Sequence, residues 1–122
     1  MGIFSAVEIA TALFATAALG GVTLALIRFR GSPLPPAWLG MLHGFIASAG
    51  LTLLVYGVLV EVPPPSARWA MILFILAALG GVAMYLGYRA KSKPLPKALV
   101  VLHGLVAVSG FVLLLFGVVK QP

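Results

Sequence analysis

His43 and His103 are the only imidazoles in this chain of 122 residues. Each sits in an apolar segment, GMLHGFIASAGLTLLVYGVL in the first case and VVLHGLVAVSGFVLLLFGVV in the second. In such a setting an imidazole can ligate a metal, relay a proton, or bond to a carbonyl on a neighbouring helix. Other chemistry is narrowed by composition. There is no cysteine, which rules out disulfides, thiolate metal sites, iron–sulfur clusters and covalent c-type haem attachment. The only acids are Glu8 and Glu61, and no paired-carboxylate site is read from them. The chain carries no Ser–His–Asp set and no phosphate loop, so no catalytic constellation is read from it.

The elements that must position these histidines are membrane helices. The chain is 62% hydrophobic and 8% charged, against roughly half apolar and a quarter charged in a soluble domain. Four apolar stretches reach the roughly 20 residues a helical span requires: 3–27, 37–60, 69–88 and 98–119. They are separated by RFRGSPLPP, EVPPPSAR and YRAKSKPLPK, which combine charge with helix-breaking proline. The first span lacks a basic leading region and carries Glu8, so it reads as a span and not as a signal peptide. The net charge of +6 reflects topology, not nucleic-acid binding. Arg28, Arg30, Arg89, Lys91, Lys93 and Lys97 fall on one side, against Arg68 and Lys120 on the other. The positive-inside rule then places loops 28–36 and 89–97 in the cytoplasm and both termini outside, in a membrane expected to be the bacterial inner membrane. Trp38 and Trp69 fall at the two interfaces.

The chain also matches itself at an offset of sixty residues. AALGGV at Ala17–Val22 recurs at Ala77–Val82, and LHG at Leu42–Gly44 recurs at Leu102–Gly104. From Ala18 to Val58, 18 of 41 positions are identical without a gap. The expected fold is therefore an all-α, four-helix membrane bundle forming a single domain, with tandem two-helix repeats at 1–60 and 61–122. Two spans return the chain to its starting side, so the halves run parallel about a pseudo-two-fold axis along the membrane normal. This alignment pairs Glu8 with Arg68, from which an ion pair between the first and third helices is expected.

The repeat also sets depth. His43 and His103 each lie seven residues past a proline, Pro36 and Pro96, roughly 10 Å into the membrane at 1.5 Å per residue. Gly20–Gly21 and Gly80–Gly81 reach the same level on other helices. His43, Ala47, Gly50, Leu54 and Gly57 share one helix face, as do His103, Ala107, Gly110, Leu114 and Gly117. Such small faces serve close helix packing. With histidines, they also make room for a flat cofactor. Two imidazoles are too few for bare zinc, whereas haem brings four equatorial nitrogens and asks the protein for one or two axial ligands. Its propionates would need cations, and Arg28, Arg30, Arg89, Lys93 and Lys97 lie on the nearer side.

With these residues in place, the layout resembles membrane b-type cytochromes such as the cytochrome b561-like four-helix bundles. The resemblance implies one haem b between the second and fourth helices, with His43 and His103 as axial ligands to its iron. It further implies haem clearance at Gly20, Gly21, Gly80 and Gly81, propionate contacts at Arg28 and Arg89, and a quinone or redox protein as electron partner. Two histidines suffice for one bis-histidine haem, where b561 proteins carry two such haems. The second nitrogen of each imidazole is expected to donate one turn back along its own helix, to the carbonyls of Leu39 and Leu99. Two other readings stand beside this one. A cofactor-free accessory subunit of a larger membrane complex would use the glycine faces for docking. A small multidrug-type transporter is faintly echoed by VEIATA at Val7–Ala12, but Glu8 lies near the membrane edge and the charge bias fixes one orientation.

Overall fold

The computed structural model describes residues 3–121. It is all-helical there, with α1 (Ala6–Phe29), α2 (Ala37–Val60), α3 (Pro65–Gly87) and α4 (Lys97–Val119). A short 3₁₀ turn, Arg89–Lys91, follows α3. All four helices are long and apolar enough to cross a membrane.

Helix ends depart from the expected spans for local reasons. α1 begins at Ala6 and not Ile3 because Ser5 and Glu8 form a capping box: Glu8 N–H donates to Ser5 Oγ at 3.1 Å, and Ser5 N–H donates to Glu8 Oε2 at 2.9 Å. This use of Glu8 also corrects the expected ion pair, since no Glu8–Arg68 bridge forms among the described residues. α3 starts four residues earlier than the expected 69, at Pro65. Proline in the first turn gives up only an N–H that has no helical partner and brings a φ already suited to a helix. At the end of α1, Gly31 takes φ +114°, a conformation open to glycine, and turns the chain into the first loop.

Packing divides the bundle into two hairpins. α1 packs mainly on α2 and α3 mainly on α4, with thinner contacts closing the ring through α1–α4 and α2–α3. α2 and α4 therefore face each other across one diagonal, and α1 and α3 across the other. The buried core lies entirely towards the end of the bundle that carries the chain termini. It comprises Val7, Ala10, Phe14, Leu54 and Val58 from the first hairpin, with Ala67, Ala70, Phe74 and Leu114 from the second. Phe14 and Phe74 stack face to face across the α1–α3 diagonal, centroids 3.7 Å apart and planes within 1°. The small faces read from the sequence are where the hairpins close: Gly50, Leu54 and Gly57 are buried on α2, and Gly110, Leu114 and Gly117 on α4. Helices in lipid associate by close packing, because the tails are as apolar as the side chains.

Gly57 illustrates the tolerance. A Cβ there would lie 2.6 Å from Val7 Cγ2 and 3.3 Å from Val7 N, whereas one at Gly40 on the same helix would meet nothing within 4 Å. Gly57→Ala is expected to destabilise the fold by about 1–3 kcal/mol through overpacking. Gly40→Ala is expected to be neutral or slightly stabilising, since alanine is the better helix former by up to about 1 kcal/mol. Reversible unfolding of both variants in detergent, followed by circular dichroism, checks the contrast.

Candidate haem-binding site

The site forms beyond the Phe14–Phe74 stack, towards the end of the bundle made by the loops. His43 projects from α2 and His103 from α4, their ring centroids 6.2 Å apart and their planes at 75°. The expected bonds to Leu39 and Leu99 do not form. His43 Nδ1 instead reaches across its hairpin to the carbonyl of Ala17 on α1, at 2.8 Å. His103 Nδ1 does the same to Ala77 on α3, also at 2.8 Å. A carbonyl one turn back already lies along the histidine's own helix axis, where the ring cannot reach it well. A carbonyl on the packed neighbour lies directly in front of it.

The paired glycines explain why these carbonyls are reachable. In an α-helix the carbonyl of residue i accepts from the N–H of residue i+4 and keeps a second lone pair. Side chains at i+3 and i+4 flank that lone pair. For Ala17 those positions are Gly20 and Gly21, and for Ala77 they are Gly80 and Gly81. With no side chains there, each carbonyl stands open to the imidazole. The fit is close: a Cβ on Gly21 would lie 3.0 Å from His43 Cε1, and one on Gly20 would lie 3.6 Å from His43 Cβ. Gly81 is 3.5 Å from His103 Cε1 by the same measure, and Gly80 is 3.7 Å from His103 Nδ1. The four glycines thus give clearance first to the imidazoles themselves.

The hydrogen bonds settle the tautomer of each neutral ring. A carbonyl only accepts, so Nδ1 carries the hydrogen and Nε2 keeps its lone pair. Nε2 has no protein partner in either ring, and no fully buried side-chain nitrogen or oxygen goes unpartnered among the described residues. Both Nε2 atoms therefore retain accessible surface. The surroundings agree: His43, His103 and the four glycines are half-buried, in contrast to the closed core nearer the termini.

Two imidazoles presenting Nε2 with Nδ1 tied to an acceptor are a ligand pair with its supporting hydrogen bonds in place. Metal–imidazole bonds run about 2.0–2.1 Å, so two rings on opposite sides of one metal ion stand about 6 Å apart between centroids. The observed separation is 6.2 Å between centroids. Among the described residues no group of three or more metal-ligating side chains occurs, so a centre that brings its own equatorial ligands fits this donor set and bare zinc does not.

The basic residues expected near propionates lie at the loop end. Arg28 Nε donates to the carbonyl of Leu95 at 2.8 Å, and an Arg89 terminal nitrogen donates to the carbonyl of Pro35 at 2.8 Å. Each guanidinium has further N–H groups beyond these bonds. Lys97 Nζ sits 5.7 Å above the ring of Phe29. Ala17, Ala77, Phe14 and Phe74 escape a search for chemistry-bearing side chains. The signal for the phenylalanines was present, since they too lie sixty residues apart. Compared with protein-family models, curated proteins and solved structures, the chain finds no match.

Gly21→Ala forces the His43 ring to give by a few tenths of an ångström, against ordinary contact for Gly81→Ala. In ¹⁵N spectra of histidine-labelled protein, Gly21→Ala is expected to shift the His43 Nδ1–H signal and weaken its hydrogen bond. Gly81→Ala is expected to leave that of His103 nearly unchanged.

Proposed function

We propose that this chain is a small b-type membrane cytochrome that holds one haem between α2 and α4, with His43 and His103 as axial ligands, and passes electrons. The observation that carries the reading is the imidazole pair: centroids 6.2 Å apart, each Nδ1 donating to a helix carbonyl, each Nε2 left with its lone pair. His43 and His103 would hold the iron. Gly20, Gly21, Gly80 and Gly81 uncover the carbonyls that orient the two rings. Arg28, Arg30, Arg89, Lys93 and Lys97 supply cations at the end of the bundle where propionates would be met. Haem with both axial positions filled offers reversible one-electron exchange and no open position for oxygen.

The chain's part is therefore to bind, orient and exclude. The Ala17 and Ala77 carbonyls lock the imidazole planes and favour the charge that builds on a ligand ring. The Phe14–Phe74 stack and the core behind it separate the site from the terminal end. The electron partner would be a quinone or a redox protein at the loop end. On this reading the halves are tandem repeats related by an axis along the membrane normal, which gives each half one ligand at the same depth. The helices lie in the bacterial inner membrane with the loops 28–36 and 89–97 in the cytoplasm, as the bias of basic residues directs.

Protein produced with haem available is expected to show a sharp Soret band and, on reduction by dithionite, resolved α and β bands of six-coordinate low-spin iron. His43→Ala and His103→Ala should each abolish that spectrum while the helical signal persists. A folded, colourless wild type would overturn the proposal and favour a cofactor-free accessory subunit.

A further inference from the structure

The hydrogen bonds of this bundle are partitioned in an unexpected way. Those around the histidines and at the terminal end stay within a hairpin: His43 to Ala17 and Ala6 N–H to Glu61 in the first, His103 to Ala77 and Ser66 to Leu113 in the second. Among the described residues only three cross from one hairpin to the other, and all three lie at the loop end. Arg28 Nε donates to Leu95 O, Arg89 donates to Pro35 O, and Leu95 N–H donates to Pro33 O at 3.1 Å. The arrangement is reciprocal, since each hairpin offers one guanidinium and receives the other's on a loop carbonyl.

Each hairpin thus fixes its own imidazole, but neither fixes the distance between the two. That distance depends on how the hairpins are held together. On one side of the histidines they meet through the Phe14–Phe74 stack and the closed core. On the other side they meet through the three-bond clasp. Between the two lie the half-buried histidines and glycine pairs, outside the contiguous core cluster.

We infer that Arg28 and Arg89 are positioning residues, which clasp the two hairpins at the loop end and thereby hold His43 and His103 at the spacing for a shared ligand. The inference rests on the haem reading for the identity of that ligand, but not for the clasp itself. Arginine suits the task because its planar fork keeps its charge and its geometry, and bonds from a charged donor to a carbonyl are stronger than neutral ones. Proline in both loops, Pro33 and Pro35 in one, Pro94 and Pro96 in the other, stiffens the segments that present the carbonyls.

The test uses the full chain, which has no cysteine of its own. Spin labels at Met41→Cys and Val101→Cys, both exposed positions, report the separation of α2 and α4 without any cofactor. The parent is expected to give one narrow distance distribution. Arg28→Met with Arg89→Met should broaden it and move it outward, and Arg28→Lys with Arg89→Lys, which keep a charged donor, should restore most of the narrow distribution. An unchanged distribution in the methionine variant would overturn the clasp. With haem bound, the methionine variant should lose haem at least about tenfold faster, given the strength of bonds to charged groups. It should also gain a carbon monoxide-binding fraction as one histidine detaches. An iron porphyrin with both propionates esterified separates two roles of the arginines. Equal effects with free-acid and esterified haem support positioning; an effect confined to the free acid would overturn it in favour of direct ion pairing with propionates. A wild type that binds no haem sinks the cytochrome reading, and the label distances still decide the clasp.

Discussion

Everything at the centre of this protein depends on two backbone carbonyls, those of Ala17 and Ala77, accepting a second hydrogen bond from an imidazole on the neighbouring helix. In lipid an imidazole without a partner is costly, and helix carbonyls are normally wrapped by side chains one turn on. The glycine pairs remove that wrapping at one place per hairpin. The bond then fixes ring orientation and tautomer together. A side chain that is a liability in an apolar helix is thereby given a partner, and Nε2 of each ring keeps its lone pair.

Close packing is uneven along the bundle axis. The contiguous core cluster ends at the Phe14–Phe74 stack. Beyond it Ala17 and Ala77 are buried while the histidines and glycine pairs are half-buried, and hydrogen bonds between the loops tie the two hairpins at that end. The two ends of the bundle differ in character. The terminal end supplies close packing, through glycines such as Gly57 that admit no added methyl, and the loop end holds the two imidazoles.

The hairpin is the working unit. Each holds a histidine, the carbonyl that orients it and the glycines that expose that carbonyl. Polar ties at the terminal end, Glu61 to the start of α1 and Ser66 to the end of α4, also stay within a hairpin. A shared ligand would then join the two hairpins, and its affinity would depend on how firmly they are held.

The sequence by itself determined the class of fold and the chemistry on offer. Apolar length and proline-bearing breaks specify four spanning helices, and the sixty-residue offset places both imidazoles at one level with a glycine pair opposite each. These are properties of single helices, legible because a helix has a fixed rise and period. Helix starts were less legible, since proline both breaks helices and begins them, and Pro65 does the latter. What only the tertiary structure decided is which helix faces which. The carbonyl that accepts from His43 lies 26 residues away on a different helix, and the one bonded by Arg28 lies 67 residues away in another loop. A backbone carbonyl has no residue letter. Whether it is shielded or open depends on the neighbour's side chains and on the packing angle, and neither exists until the four helices are assembled.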